Sequence, residues 1–176
     1  MISPKRCVVL HVHLNIGSNL GDREENIRRA VASLRQLACV YSSVKVSDTV
    51  ESEPWGYDSS NGFLNVGMSF DTELAPEALL AGVQRVEKSI STASHRDSAG
   101  AYIDRIIDID IIACATTGND GAPLKLIETA TEKLTLPHPR ALQRDFVTIP
   151  LRNIATPRYT RLAGQNNQVN QEGRET

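Results

Sequence analysis

The stretch Arg105-Ile106-Ile107-Asp108-Ile109-Asp110-Ile111-Ile112 decides how the chain is read. Its density of β-branched residues marks a buried strand. Because side chains alternate across a strand, Asp108 and Asp110 point to one face, while Ile107, Ile109 and Ile111 point to the other, buried one. Two neighbouring carboxylates repel each other unless a cation lies between them, and such hard oxygen ligands suit Mg²⁺ bound together with substrate phosphates. A strand with one wet face would show the same pattern, so the pair alone leaves both readings open.

Upstream, residues 91–104 lose periodicity and are rich in Ser, Ala, Gly, Asp and His, which marks a candidate lid. Before it, Pro76 at a first helical turn and Leu79, Leu80, Val83, Val86 and Ile90 predict a helix. Residues 63–71 (FLNVGMSFD) predict a strand, and 39–50 (CVYSSVKVSDTV) another, stopped at Glu53-Pro54-Trp55-Gly56. Asp22 and Glu25 have capping-box spacing ahead of Ile27, Val31, Leu34 and Leu37, which gives the first helix. Residues 7–16 form the first strand, ending in the turn Gly17-Ser18-Asn19-Leu20-Gly21.

Downstream, 116–133 is expected as a surface hairpin, 134–139 (LTLPHP) as a short extended piece, and 140–154 as a brief helix returning to the core. Beyond Pro157 a polar tail is expected to be disordered. The order β-α-β-β-α-β predicts a split βαβ sandwich, with helices over an antiparallel-rich sheet.

At 176 residues the chain fits one domain. With 40% apolar and 23% charged residues it has globular composition, and its net charge of -2 gives no global basic field for a polynucleotide. Cys7, Cys39 and Cys114 are far apart and lack ligand spacing, so they read as reduced thiols. No leader or membrane-length apolar run is evident, and a cytoplasmic protein is expected.

Other residues have the right chemistry for a site. Arg105, His138 and Arg144 could neutralise a transferring phosphate. The 17–21 turn lacks the Gly-Lys-Ser/Thr ending of a P-loop. Trp55, Phe63, Tyr102 and Phe146 offer faces for a flat heterocycle, though Phe63 and Phe146 serve equally as core. Asn65 carries an amide able to read a base-like edge, or is a satisfied core amide. His11 and His13 share a strand face without a third ligand and read as structural.

Taken in order, GSNLGD, EPWG, FLN, QRVE, DRIIDIDI and LPHPRALQRDF resemble the hydroxymethyldihydropterin pyrophosphokinase family over residues 9–155. The resemblance implies an α+β, ferredoxin-like split βαβ fold and one pterin pyrophosphokinase domain at 1–157, with the tail at 158–176. It also implies a monomer that binds neither nucleic acid nor membrane, and transfer of diphosphate from ATP to 6-hydroxymethyl-7,8-dihydropterin with release of AMP. Two Mg²⁺ ions would be held by Asp108 and Asp110, with Arg105 and His138 completing the catalytic set. Gln84, Arg105, Thr135, His138 and Arg144 would contact ATP. Ser52, Glu53, Trp55, Gly56, Phe63, Asn65 and Phe146 would form the pterin pocket, with Arg96 and Tyr102 on the lid.

The chain departs from the family pattern at Ile90-Ser91-Thr92, where many members have Leu-Gly-Arg, which removes a lid cation that Arg96 would have to replace. Tyr102-Ile103-Asp104 stands where some members have Trp-Gly-Pro, and Pro139 where others have Tyr. Two other expectations compete: a catalytically impaired pterin- or nucleotide-binding homologue, and a ferredoxin-like module for RNA or protein partners. The second would need a basic patch with exposed sheet aromatics.

Overall fold

A computed structural model describes residues 8–118, 123–155 and 159. In chain order the elements are β1 (Leu10–Ser18), α1 (Arg23–Leu34), β2 (Val40–Val46), β3 (Val50–Ser52), β4 (Phe63–Thr72), α2 (Pro76–Ile90), β5 (Asp108–Thr117), β6 (Pro123–Leu126), β7 (Thr129–Ala130), β8 (Thr135–Leu136) and α3 (Asp145–Ile154). Single 3₁₀ turns occupy Arg35–Leu37 and Ala141–Gln143.

The main sheet runs β2-β4-β1-β5-β6, with β3 also pairing with β4, and every pairing is antiparallel. β1 and β4 are central, and α1 and α2 connect strands across one face. This is the predicted ferredoxin-like α+β arrangement. No described helix is long and apolar enough to cross a membrane.

The starts of α1 and α2 follow from local chemistry. The Asp22 side chain accepts the Glu25 N–H at 3.0 Å, satisfying a donor that the first turn cannot, a cap worth about 1 kcal/mol. α2 starts with Pro76, whose missing N–H costs nothing there. Ile27, Ala30 and Leu34 of α1 and Leu79, Val83 and Val86 of α2 are buried against Leu10, Val12, Leu14 and Ile16 of β1. Each large side chain so buried contributes roughly 1.5–3 kcal/mol. Ile107, Ile109 and Ile111 join this core, as their parity predicts.

The opposite face is divided in two. At one end α3 packs on the sheet, and Ala113, Ala115, Leu126, Leu151 and Tyr159 form a small second core. At the other end the face is left open as a cleft.

Three expectations need correction. The strand begins at Asp108 rather than Arg105, because the Arg105 backbone is engaged by Asn19: Arg105 donates its N–H to Asn19 Oδ1 at 2.8 Å, and Asn19 donates its own to the Arg105 carbonyl at 3.2 Å. The single strand at 39–50 is instead β2 and β3. At the break, Gly67 N–H donates to Ser47 Oγ at 2.9 Å, so a side chain stands in for a ladder acceptor. Within the expected tail, Tyr159 is described and fully buried, whereas 160–176 lie outside the described residues. Cys7 also lies outside them, as do residues 119–122 of the expected hairpin.

Candidate active site

The cleft is built from the pleat upward. Antiparallel register aligns Asp110 with Asn15 and Asn15 with Gly67, and in the next row on the same face Asp108 with Gly17 and Gly17 with Asn65. Three strands therefore deliver two carboxylates and two amides to one surface. Glycine leaves room in the middle: a Cβ on Gly17 would crowd Asn65 Oδ1 at 3.1 Å and the Phe63 ring at 3.3 Å. A bulge lies between the pairings of His13 and Leu14 with β5, so Ile112 turns toward α3 and its carbonyl accepts the His138 N–H at 2.8 Å.

On the charged side, Arg105 Nε lies 3.3 Å from Asp108 Oδ2 and Arg144 Nη1 3.8 Å from Asp110 Oδ2. Burial foremost raises the pKa of both aspartates, and the charge of Asp110 adds to the shift at Asp108. Two half-buried carboxylates that the arginines compensate only in part form an all-oxygen donor set that fits Mg²⁺. Glu87, on α2, adds a third acid. Its Oε1 accepts the Ile109 N–H at 2.8 Å, and burial, then its acidic neighbours, push it up to about 7. Ligand atoms of Glu87, His95 and Asp108 lie within 4.8 Å of one another.

His138 is pushed down to about 4, by burial first and then by Arg144 and Arg140. It is therefore neutral near pH 7. Its Nδ1 accepts the Arg140 N–H at 3.3 Å, which puts the ring proton on Nε2 as a donor.

On the aromatic side, the Arg144 guanidinium lies 4.2 Å from the Trp55 ring centroid, and Arg105 lies 5.3 Å from both Phe63 and Tyr102. Asn65 donates to Ser52 Oγ at 3.0 Å and to the Val50 carbonyl at 3.3 Å, which orients its amide. Residues 96–102, within the candidate lid, fold as a small turn. Arg96 bridges to Tyr102, lies 3.8 Å over its ring and donates to the Gly100 carbonyl, while Asp97 accepts two backbone N–H groups.

Of the expected residues, the cleft of about 220 Å³ brings together Ser52, Glu53, Trp55, Phe63, Asn65, Arg96, Tyr102, Arg105, Asp108, Asp110, His138, Arg144 and Phe146. Gln84, Thr135 and Gly56 are not in its lining. Gln84 instead faces a second depression between α2 and residues 131–134, and Thr135 follows that segment. Gly56 has a φ of 85°, a backbone conformation that favours glycine. Sequence reasoning missed Asn15, Gly17, His95 and Arg140 as lining residues. Arg140 lay in a quoted block, but Asn15 becomes visible only once strand register is known.

The fold is a ferredoxin-like sheet with an acidic, arginine-lined cleft on one face. Residues 13–156 match the family model of 7,8-dihydro-6-hydroxymethylpterin-pyrophosphokinase, and the chain belongs to that family. It is 35% identical over 144 residues to a 2-amino-4-hydroxy-6-hydroxymethyldihydropteridine pyrophosphokinase of Porphyromonas gingivalis, covering 82% of this chain and 90% of the relative. The enzyme of the same name from Bacillus subtilis is 35% identical over 142 residues, covering 81% and 76%. A crystal structure described as HPPK-DHPS in complex with substrates superposes with a TM-score of 0.53 at 14% identity, over 94% of this chain and 45% of that one, which supports the fold.

Proposed function

We propose that the cleft holds ATP and 6-hydroxymethyl-7,8-dihydropterin side by side and transfers the terminal diphosphoryl group to the pterin hydroxymethyl oxygen. A new O–P bond forms at the β-phosphorus as the bond to the oxygen bridging to the α-phosphate breaks, AMP leaves with that oxygen, and the hydroxyl proton is released to solvent. One observation carries this reading: Asp108 and Asn65 occupy a single pleat row across Gly17, so a metal-phosphate locus and a heterocycle locus are immediate neighbours.

Asp108 and Asp110 would hold a pair of Mg²⁺ ions, which neutralise phosphate charge when bound. Arg105 and Arg144 add fixed positive charge, and His138 Nε2 offers a neutral donor to a phosphoryl oxygen. Phe63, Trp55 and Phe146 would flank the flat pterin, with Asn65 and Ser52 reading its edge. Gln84 and Thr135 would serve the nucleoside end, Gln84 from the depression it lines with Leu80 and Leu134 among polar residues, and Thr135 from just beyond it. Arg96, which lines the cleft, would take the place of the lid cation missing from 90–92, and the lid would exclude water.

Catalysis on this reading is positioning and charge neutralisation, with no covalent protein intermediate. The test is AMP formation from ATP with Mg²⁺ and the pterin, beside Asp110→Ala. Pterin-dependent AMP that vanishes in the variant is the expected result. Ligand binding without AMP would make the chain the impaired homologue instead.

A further inference from the structure

Asp104 lies outside the cleft lining, yet beside it its carboxylate accepts four hydrogen bonds. Its Oδ1 accepts from Asn19 Nδ2 at 2.7 Å and from the Tyr57 hydroxyl at 3.2 Å. Its Oδ2 accepts from Ser59 Oγ at 2.9 Å and from the Asn61 side-chain amide. Burial works against the charge, but the four donors outweigh it and hold the carboxyl below its ordinary range.

The donors come from two places. Tyr57, Ser59 and Asn61 belong to the loop that leaves Trp55 and returns at Phe63, the aromatic wall of the cleft. Asn19 belongs to the turn between β1 and α1, and it grips both backbone groups of Arg105 while its amide also reaches Asp104, Tyr57 and the Asn61 carbonyl. Arg105, next in the chain, is the cation beside Asp108. One carboxylate therefore ties the loop of the heterocycle side to the root of the phosphate-side arginine.

We propose that Asp104 is a positioning residue that couples the two substrate sites, holding the Trp55–Phe63 loop and Arg105 as one unit so that each substrate prepares the cleft for the other. The inference rests on the two-substrate reading above. Its physical basis is that a charge-assisted hub with every donor directed at one carboxylate has a single low-energy arrangement. Neither loop can shift without breaking bonds to the other. A purely stabilising role would instead act equally on both sites.

The experiment measures pterin affinity with and without a non-hydrolysable ATP analogue and Mg²⁺, in the wild type and in Asp104→Ala and Asp104→Asn, alongside thermal melts. The wild type is expected to bind pterin more tightly when the analogue is present. In Asp104→Ala that enhancement should fall about tenfold, while the affinity for analogue alone changes by less than about twofold. Asp104→Asn, which retains one acceptor oxygen, should fall between. Ser59→Ala and Asn61→Ala, which leave the Asn19–Arg105 bonds intact, serve if the Asp104 variants do not fold, and each should lose part of the enhancement.

A lower melting temperature with an unchanged enhancement in every folded variant would overturn the proposal. So would a wild type that binds both ligands independently. A wild type that binds no pterin would overturn the two-substrate reading itself, and the coupling with it.

Discussion

Arg144 lies between Trp55 and Asp110: its guanidinium is 4.2 Å from the Trp55 ring centroid, and its Nη1 is 3.8 Å from Asp110 Oδ2. One side chain thus meets both the aromatic wall and the acidic pair. Burial lowers its pKa somewhat, but a guanidinium stays charged at any working pH. Arg144→Ala is expected to lower kcat/KM by roughly 100-fold. Arg144→Lys, which keeps the charge but cannot lie flat on the indole, should recover only part of this. Steady-state kinetics decide; full recovery by lysine would make the stacking irrelevant.

Asp110→Asn removes one member of a carboxylate pair whose charges are opposed by burial. Transfer activity should fall by at least about 1000-fold, because the remaining acid cannot hold the phosphate-bound cations alone. The free protein should melt no lower than the wild type, since one buried charge is gone. Adding Mg²⁺ and an ATP analogue should raise the melting temperature of the wild type only. Equal ligand stabilisation of both proteins would exclude Asp110 from cation binding.

Signals confined to one segment could be read from the sequence. The Asp22 cap, Pro76 at the head of α2 and the parity of Asp108 and Asp110 each rest on spacing within a single element, and each is found as expected. What depends on pairing could not be read. Asn15 reaches the cleft because β1 meets β5 in a register that only the folded sheet fixes, and Ile112 leaves the alternation at a bulge. The split of 39–50 depends on Ser47 Oγ meeting the Gly67 amide twenty residues away. Tyr159 looked like part of a polar tail and is held by Ala113, Ala115 and Leu151, which the local composition does not reveal.

Gly67→Ala tests how α3 rests on the sheet. A Cβ there would lie 2.7 Å from Pro150 Cβ and 3.0 Å from the His13 ring, and the proline ring cannot rotate away. The expected cost is about 1–3 kcal/mol of stability, read by urea titration. Activity should fall as well, because Phe146 is carried by the first turn of α3 and Arg144 immediately precedes it. A variant as stable as the wild type would mean that α3 can shift without penalty.

His13 makes the fold sensitive to acid. It is fully buried, neither ring nitrogen has a hydrogen-bond partner among the described residues, and its pKa is pushed down to about 3, by burial first and then by His11. The unfolded chain protonates near pH 6.5, well above the folded state, so the unfolded state binds the extra proton. Stability is therefore complete above pH 6.5 and is lost as pH falls from there toward 3, by about 1.4 kcal/mol per pH unit for one proton. Between pH 6.5 and 5 this amounts to roughly 2 kcal/mol. His138, also held low, adds a similar loss, but it is present in wild type and variant alike and cancels in their comparison. His13→Met keeps an apolar side chain of comparable bulk and removes the proton site, so urea titrations should show a pH slope shallower by about one proton. Parallel slopes for the two proteins would mean that His13 is charged or solvated in the fold.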